Sequence, residues 1–110
     1  MARPCLGWLA ALLLVGPAAG ADEPGAAEFE ANCLLCHGAD LTGVDGLGAN
    51  LAASAFVAGR SEAELVEFLK VGRMPGDPAS LTGRAMPGFA WLPADELRRV
   101  AAFVKSRHAP

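Results

Sequence analysis

A chain of 110 residues with a formal charge of −3 has room for one small domain. Its acid excess disfavours nucleic-acid binding. Residues 22–59 carry six acids (Asp22, Glu23, Glu28, Glu30, Asp40, Asp45) and no lysine or arginine, whereas residues 60–110 carry eight bases against six acids. Such a distribution is either solvated surface charge or a docking patch for a partner protein.

The first 21 residues read as a secretory leader. Arg3 supplies a short positive start, Leu6 to Val15 an apolar stretch, and Ala19-Gly20-Ala21 a small-x-small cleavage site. Cleavage after Ala21 leaves 22–110 as the domain, with a net charge of −4. The rival reading is an uncleaved membrane anchor, but the apolar stretch falls short of the ~20 residues that span a bilayer. Cys5 precedes the apolar stretch, whereas a lipid-modified cysteine follows one, so Cys5 is expected to leave with the leader.

Pro24 to Cys36 reads as the first helix, with Pro24 and Gly25 at its start and Phe29 on its apolar face. Its end carries the decisive motif, Cys33-Leu34-Leu35-Cys36-His37. Two cysteines two residues apart, followed at once by histidine, form a c-type haem attachment site. Cys33 and Cys36 add to the two haem vinyl groups as thioethers, and His37 is then tethered where its imidazole reaches the iron. A structural zinc site needs four ligands, normally from two such pairs, and no second pair exists. A thioredoxin-like redox pair needs a βαβ setting, which the flanking sequence does not offer. Bacterial haem attachment of this kind takes place outside the cytoplasmic membrane, so the motif and the leader support each other and point to the periplasm. A mature segment of this size is small for a self-sufficient core, and one covalently held haem c is a staple that fills it.

Gly38 to Ser54 contains Gly38, Gly43, Gly46 and Gly48 and reads as a loop able to approach a flat ligand closely. A short helical turn is expected near Ser54 to Ala58. Ser61-Glu62-Ala63-Glu64 is a capping box that opens the next helix, with Leu65, Phe68 and Leu69 on its core face and Gly72 at its end. Arg73 to Pro93 is irregular, interrupted by Pro75, Pro78, Pro87 and Pro93. The last helix has Asp95 and Glu96 in its first turn and Lys105, Arg107 and His108 near its end, as the helix dipole favours. Leu97, Val100, Ala101 and Val104 recur at helical spacing beside Phe103. No strand pattern appears. The expected fold is all-α, with three main helices and a short one around the haem.

From about Gly25 to Ser106 the chain resembles a class I cytochrome c. The likeness rests on Phe29 leading into Cys33 to Gly38, the glycine loop ending in Gly48-Ala49-Asn50-Leu51, Met86-Pro87 in a late loop, and a closing helix. The stretch from Phe56 to Met86 further resembles small bacterial cytochromes that serve periplasmic dehydrogenases and oxidases. The resemblance implies that the first and last helices cross near Phe29 and Phe103. It also implies that His37 is the proximal iron ligand and donates its other ring N–H to a carbonyl of the glycine loop. The family has a proline at that carbonyl; Ala49 stands there instead.

Met74 and Met86 are the methionines outside the leader, and both precede Pro-Gly. Met74 follows the helix end too closely to wrap over the distal haem face. Met86 lies where the family places its sixth ligand, so Met86 is the expected iron partner of His37. His108, close to the C-terminus, is assigned to the end of the last helix. Phe56, Leu65, Leu69, Phe89 and Trp91 are candidate pocket walls or plain core. Arg60, Arg73 and Arg84 are candidates to pair with the two haem propionates, so at least one of the three is ordinary surface.

The function implied is single-electron transfer between redox protein partners, as a free carrier or as a subunit dedicated to a dehydrogenase, an oxidase or another cytochrome. Neither catalysis nor stable membrane insertion after leader removal is expected. The rival class, a five-coordinate haem gas sensor or peroxidase-like enzyme, needs an open distal position and a distal base, and His108 is the only other histidine.

Overall fold

A left-handed glycine starts the domain. Gly25 (φ 90°) precedes α1, Ala26–Asn32, in the computed structural model, which describes residues 23–109. The predicted leader and its cleavage point lie outside those residues. Four further helices follow: α2, Leu34–His37; α3, Ala55–Ala58; α4, Glu62–Val71; and α5, Ala94–Arg107. Among the described residues the only pairings of extended backbone are two isolated antiparallel bridges, Val44 with Gly48 and Arg73 with Met86.

The helix expected from Pro24 to Cys36 is interrupted. At Cys33 the backbone leaves helical geometry (φ −124°, ψ −26°), although its N–H still donates to the Phe29 carbonyl at 2.8 Å. The Cys33 carbonyl then accepts from both Cys36 N–H (3.2 Å) and His37 N–H (2.9 Å), which tightens the turn and sets α2 off from α1. The break falls within the attachment motif itself.

The other boundaries follow the local chemistry. Ser54 caps α3 by accepting from Val57 N–H at 3.2 Å. Ser61 and Glu64 make the reciprocal capping box of α4, both bonds at 3.1 Å, and Gly72 (φ 72°) ends that helix. Pro93 precedes α5, and His108 stands just past its last residue.

Helices α1 and α5 cross, with the Phe29 and Phe103 rings 5.4 Å apart and both residues buried. The crossing is close because Gly25 has no side chain; a Cβ there would lie 2.2 Å from the Arg99 carbonyl oxygen. Glu28 and Arg99 tie the same two helices together from outside at 2.8 Å. The inner face of α5 (Leu97, Val100, Ala101, Val104) packs with Leu65 and Val66 of α4 and Val57 of α3. Burying each of the larger side chains contributes about 1.5–3 kcal/mol. Lys105 donates to the carbonyls of Val57 (3.3 Å) and Arg60, so a base of α5 also closes the end of α3.

The glycine loop is anchored by Leu41, a buried residue held at φ 63°. That left-handed conformation costs a non-glycine residue roughly 1–2 kcal/mol. In return its carbonyl accepts from Leu51 (2.7 Å) and Ala52 (3.2 Å), which folds residues 42–50 back over α2.

Candidate haem site

Cys33 begins the break after α1, and Cys36 and His37 lie on the single turn of α2. Both cysteines are half-buried free thiols and His37 is buried, 8% exposed. Burial, followed by the neighbouring Cys36, pushes the Cys33 thiol up to about 11. At neutral pH it is therefore a neutral thiol inside an apolar wall, not a charge that must be compensated.

His37 is oriented by the glycine loop. Its Nδ1–H donates to the Ala49 carbonyl at 2.8 Å, the hydrogen bond expected where the family has proline. That bond assigns the proton to Nδ1 and leaves Nε2 with a lone pair for a metal. The loop can reach the histidine because Gly48 packs against α2; a Cβ there would lie 2.3 Å from the Cys36 carbonyl oxygen.

Two cavities, of about 710 and 470 Å³ when measured out to their open sides, meet at this point. Cys33, His37, Phe68 and Met86 line both, which makes them two lobes of one cleft. The inner lobe is walled by Phe29, Phe56, Leu65, Leu69 and residues of α5. The outer lobe is walled by Leu47, Gly48, Ala49, Phe89 and the segment from Ser80 to Pro87, with Cys36 and Arg73.

The structure separates the two methionines. Met86 is half-buried and borders the cleft, whereas Met74 is 72% exposed and borders neither lobe. Backbone pairing explains the difference. Arg73 and Met86 exchange N–H···O bonds of 2.9 Å, so their side chains fall on one side of the bridge and that of Met74 on the other. The close approach needs glycine twice: a Cβ on Gly72 would lie 2.2 Å from the Met86 carbonyl oxygen, and one on Gly88 2.4 Å from that of Lys70.

Of the candidate walls, Phe56, Leu65, Leu69 and Phe89 do line the cleft. Trp91 does not: it is 69% exposed, on the turn that follows Phe89, with its ring 6.2 Å from the Phe89 ring. Phe68 belongs in its place; helical spacing assigns it to the core side of α4, but no signal distinguishes a core phenylalanine from one that also faces a ligand. Of the three arginines, Arg73 and Arg84 border the outer lobe and Arg60 does not. The Arg60 guanidinium instead lies over the Phe56 ring, 3.6 Å from its centre. Asp40 is engaged locally, accepting from Thr42 N–H and Oγ1, which holds its carboxyl below the ordinary range. His108 borders neither lobe.

The donor set and the walls fit a haem. The cleft is apolar on its inner side, two thiols and one free imidazole nitrogen open into it, and a thioether stands on its border. Arg73 Nε, also at this cleft, is buried and has no hydrogen-bond partner, as a donor awaiting an acceptor would be. Among the described residues no group of three or more His, Cys, Asp or Glu side chains is placed to hold a metal ion unaided. Nor is any described helix long and apolar enough to cross a membrane.

Comparison with known proteins agrees with this geometry. A solved structure titled KustC0563 c-type cytochrome superposes with a TM-score of 0.57 at 20% identity, covering 77% of this chain and 98% of that one, a likeness of fold. Residues 20–104 match the family model described as cytochrome c oxidase, cbb3-type, subunit III. The chain therefore belongs to that family and is a small c-type cytochrome with the all-α cytochrome c fold.

Proposed function

We propose that the protein is a periplasmic electron carrier in which Cys33 and Cys36 hold one haem c by thioether bonds and His37 and Met86 take its two axial positions. The observation that carries this reading is that His37 and Met86 border both lobes of a single cleft lined by the attachment cysteines. When bound, the haem supplies a one-electron iron couple, and His/Met ligation favours the ferrous state.

The protein's own groups do the rest. Ala49 holds the Nδ1 proton of His37, so Nε2 is presented as a ligand. The backbone of Arg73 fixes Met86. Phe29, Phe56, Leu65 and Leu69 keep water from the inner lobe. With both axial positions filled, no place is left for a substrate, and the protein is a carrier and not an enzyme. Its partners are redox proteins, with an oxidase favoured by the family description and a dehydrogenase or another cytochrome as the alternatives. Residues 1–21 act as the export leader and 22–110 as the working domain.

The test is the optical spectrum of protein exported alongside haem-maturation machinery, in both redox states and with carbon monoxide. A low-spin spectrum whose weak iron–sulfur band disappears in Met86→Ala and survives in Met74→Ala is expected. A high-spin ferrous form that binds carbon monoxide at once would overturn the reading in favour of an open distal site. Mass spectrometry checks the leader: the expected haem-bearing chain starts at Asp22, and an intact Met1 would mean a retained anchor.

A further inference from the structure

The outer lobe is cationic on an acidic protein. Arg73 and Arg84 line it together with Asn32, Ser80 and Thr82, and no carboxylate does. Arg73 is the more constrained of the two. Its guanidinium sits 4.8 Å from the Phe56 ring centre and 5.0 Å from that of Phe68, and its Nη1 donates to the Ala79 carbonyl at 3.3 Å. Its Nε is buried and makes no hydrogen bond; the nearest carboxylate oxygen, on Asp77, is 3.7 Å away, beyond hydrogen-bond range. An orphaned donor on a charged group is costly unless a ligand completes it.

Arg84 is held differently. Its N–H donates to Thr82 Oγ1 at 3.2 Å, and the preceding Gly83 N–H donates to Ser80 Oγ at 3.1 Å, so the loop that carries it is a defined turn. Among the described residues its guanidinium has no carboxylate partner. Two guanidinium groups at one lobe, one with an empty buried donor and one with no counter-charge, match a ligand bearing two carboxylates.

We propose that Arg73, through its buried Nε–H, and Arg84, at the rim, bind the two propionates of the haem, whereas Arg60 has no part in it. The proposal rests on the preceding reading of the cleft as a haem site. Guanidinium suits a carboxylate because its donors form a planar fork. The same cation lowers the energy of the less positive, reduced cofactor, so Arg73 contributes to the reduction potential as well as to seating.

The experiment is redox-difference infrared spectroscopy of the propionate carboxylate bands, with potentiometry, on haem-loaded wild type, Arg73→Gln, Arg73→Lys, Arg84→Gln and Arg60→Gln. Arg73→Gln is expected to shift the bands and lower the potential. Arg73→Lys, which keeps the charge and loses the fork, shifts the bands and retains most of the potential. Arg84→Gln gives a smaller change of the same sign, screened by solvent, and Arg60→Gln leaves the bands unchanged. Unaltered bands and potential in both Arg73→Gln and Arg84→Gln would overturn the proposal. So would loss of the iron–sulfur band in Arg73→Gln with unaltered carboxylate bands, since the side chain would then merely support Met86. Should Arg73→Gln fail to accumulate, Arg73→Lys and the exposed Arg84→Gln decide it alone. A wild-type protein without a low-spin haem spectrum would defeat the preceding reading instead, before either arginine is tested.

Discussion

Arg73 and Met86, thirteen positions apart, clasp each other through two backbone hydrogen bonds of 2.9 Å. The clasp fastens a long irregular segment to the end of α4, where Phe89 N–H also donates to Leu69 at 2.7 Å. It gives an otherwise loose methionine a fixed backbone and places a guanidinium beside it. A loop of some twenty residues with no helix of its own is thus held by a few backbone bonds and two glycines.

Gly72→Ala is therefore expected to damage the Met86 side of the cleft. Alanine at φ 72° costs roughly 1–2 kcal/mol in backbone strain alone. Its Cβ would also collide with the Met86 carbonyl, only 2.2 Å away. Gly83→Ala is the control, since Gly83 has a similar φ of 69° and open space around it. Thermal unfolding should show a clearly larger loss for Gly72→Ala, and only that variant should weaken the iron–sulfur band. Equal losses would mean that the close contact is relieved without consequence.

Much of this arrangement is legible in the sequence because its signals are local. The capping box at Ser61 and Glu64, the stop at Gly72 and the apolar spacing of α5 depend on neighbours a few residues away, and each element stands where those residues put it. The attachment motif is local too. The break at Cys33 is local as well, one carbonyl being shared by the N–H groups three and four residues on, but no proline or glycine marks it in the sequence. The exposure of Trp91 and the inclusion of Phe68 of α4 in the cleft are tertiary outcomes, since composition cannot tell which aromatic faces the cleft. The division among Arg60, Arg73 and Arg84 required the fold, because Arg60 and Arg73 both lie over the Phe56 ring and only the fold brings Arg73 and Arg84 to the border of the outer lobe.

The crossing of α1 and α5 makes a second substitution informative. A Cβ at Gly25 meets the Arg99 carbonyl oxygen at 2.2 Å and Phe103 Cβ at 2.8 Å, whereas one at Gly46 meets nothing. Both glycines have positive φ, 90° and 72°. Gly46→Ala should cost about 1–2 kcal/mol of strain. Gly25→Ala should cost more, by about 1–3 kcal/mol, because the helices must separate and the Phe29–Phe103 contact loosen. Urea unfolding of the two haem-loaded variants reads the difference, and equal midpoints would show that the crossing has slack.

Ala49 invites the opposite kind of change. Its carbonyl accepts from His37 Nδ1–H, while its own N–H donates to no backbone carbonyl among the described residues. Ala49→Pro retains the acceptor, sacrifices no such hydrogen bond and reduces the freedom of the unfolded chain. It is expected to stabilise the protein by about 0.4–1 kcal/mol. The optical spectrum should not move, because the orientation of His37 depends on the carbonyl and not on the side chain. A displaced spectrum or lower stability would mean that the loop holds residue 49 away from the φ that proline demands.

Acid sensitivity follows from the trio Glu28, Arg99 and Asp95, which joins α1 to the first turns of α5 through contacts of 2.8 and 2.9 Å. The Glu28 carboxyl lies below its ordinary 4.5, chiefly through its own backbone N–H and then through Arg99; that of Asp95 lies below 3.8, chiefly through Arg99. A carboxylate depressed in the folded state gives stability that is fully present above its ordinary value and disappears as the pH falls through the depressed one. Arg99→Gln returns both groups toward their ordinary values. The variant should therefore be less stable than wild type at about pH 7, and the gap should close by about pH 2, where both carboxylates are protonated in either protein. Added salt should narrow the gap at pH 7, since these groups are partly exposed. Urea midpoints of the two proteins across that range provide the measurement, and a gap that does not change with pH would mean that Arg99 acts through packing of its aliphatic stem and not through its charge.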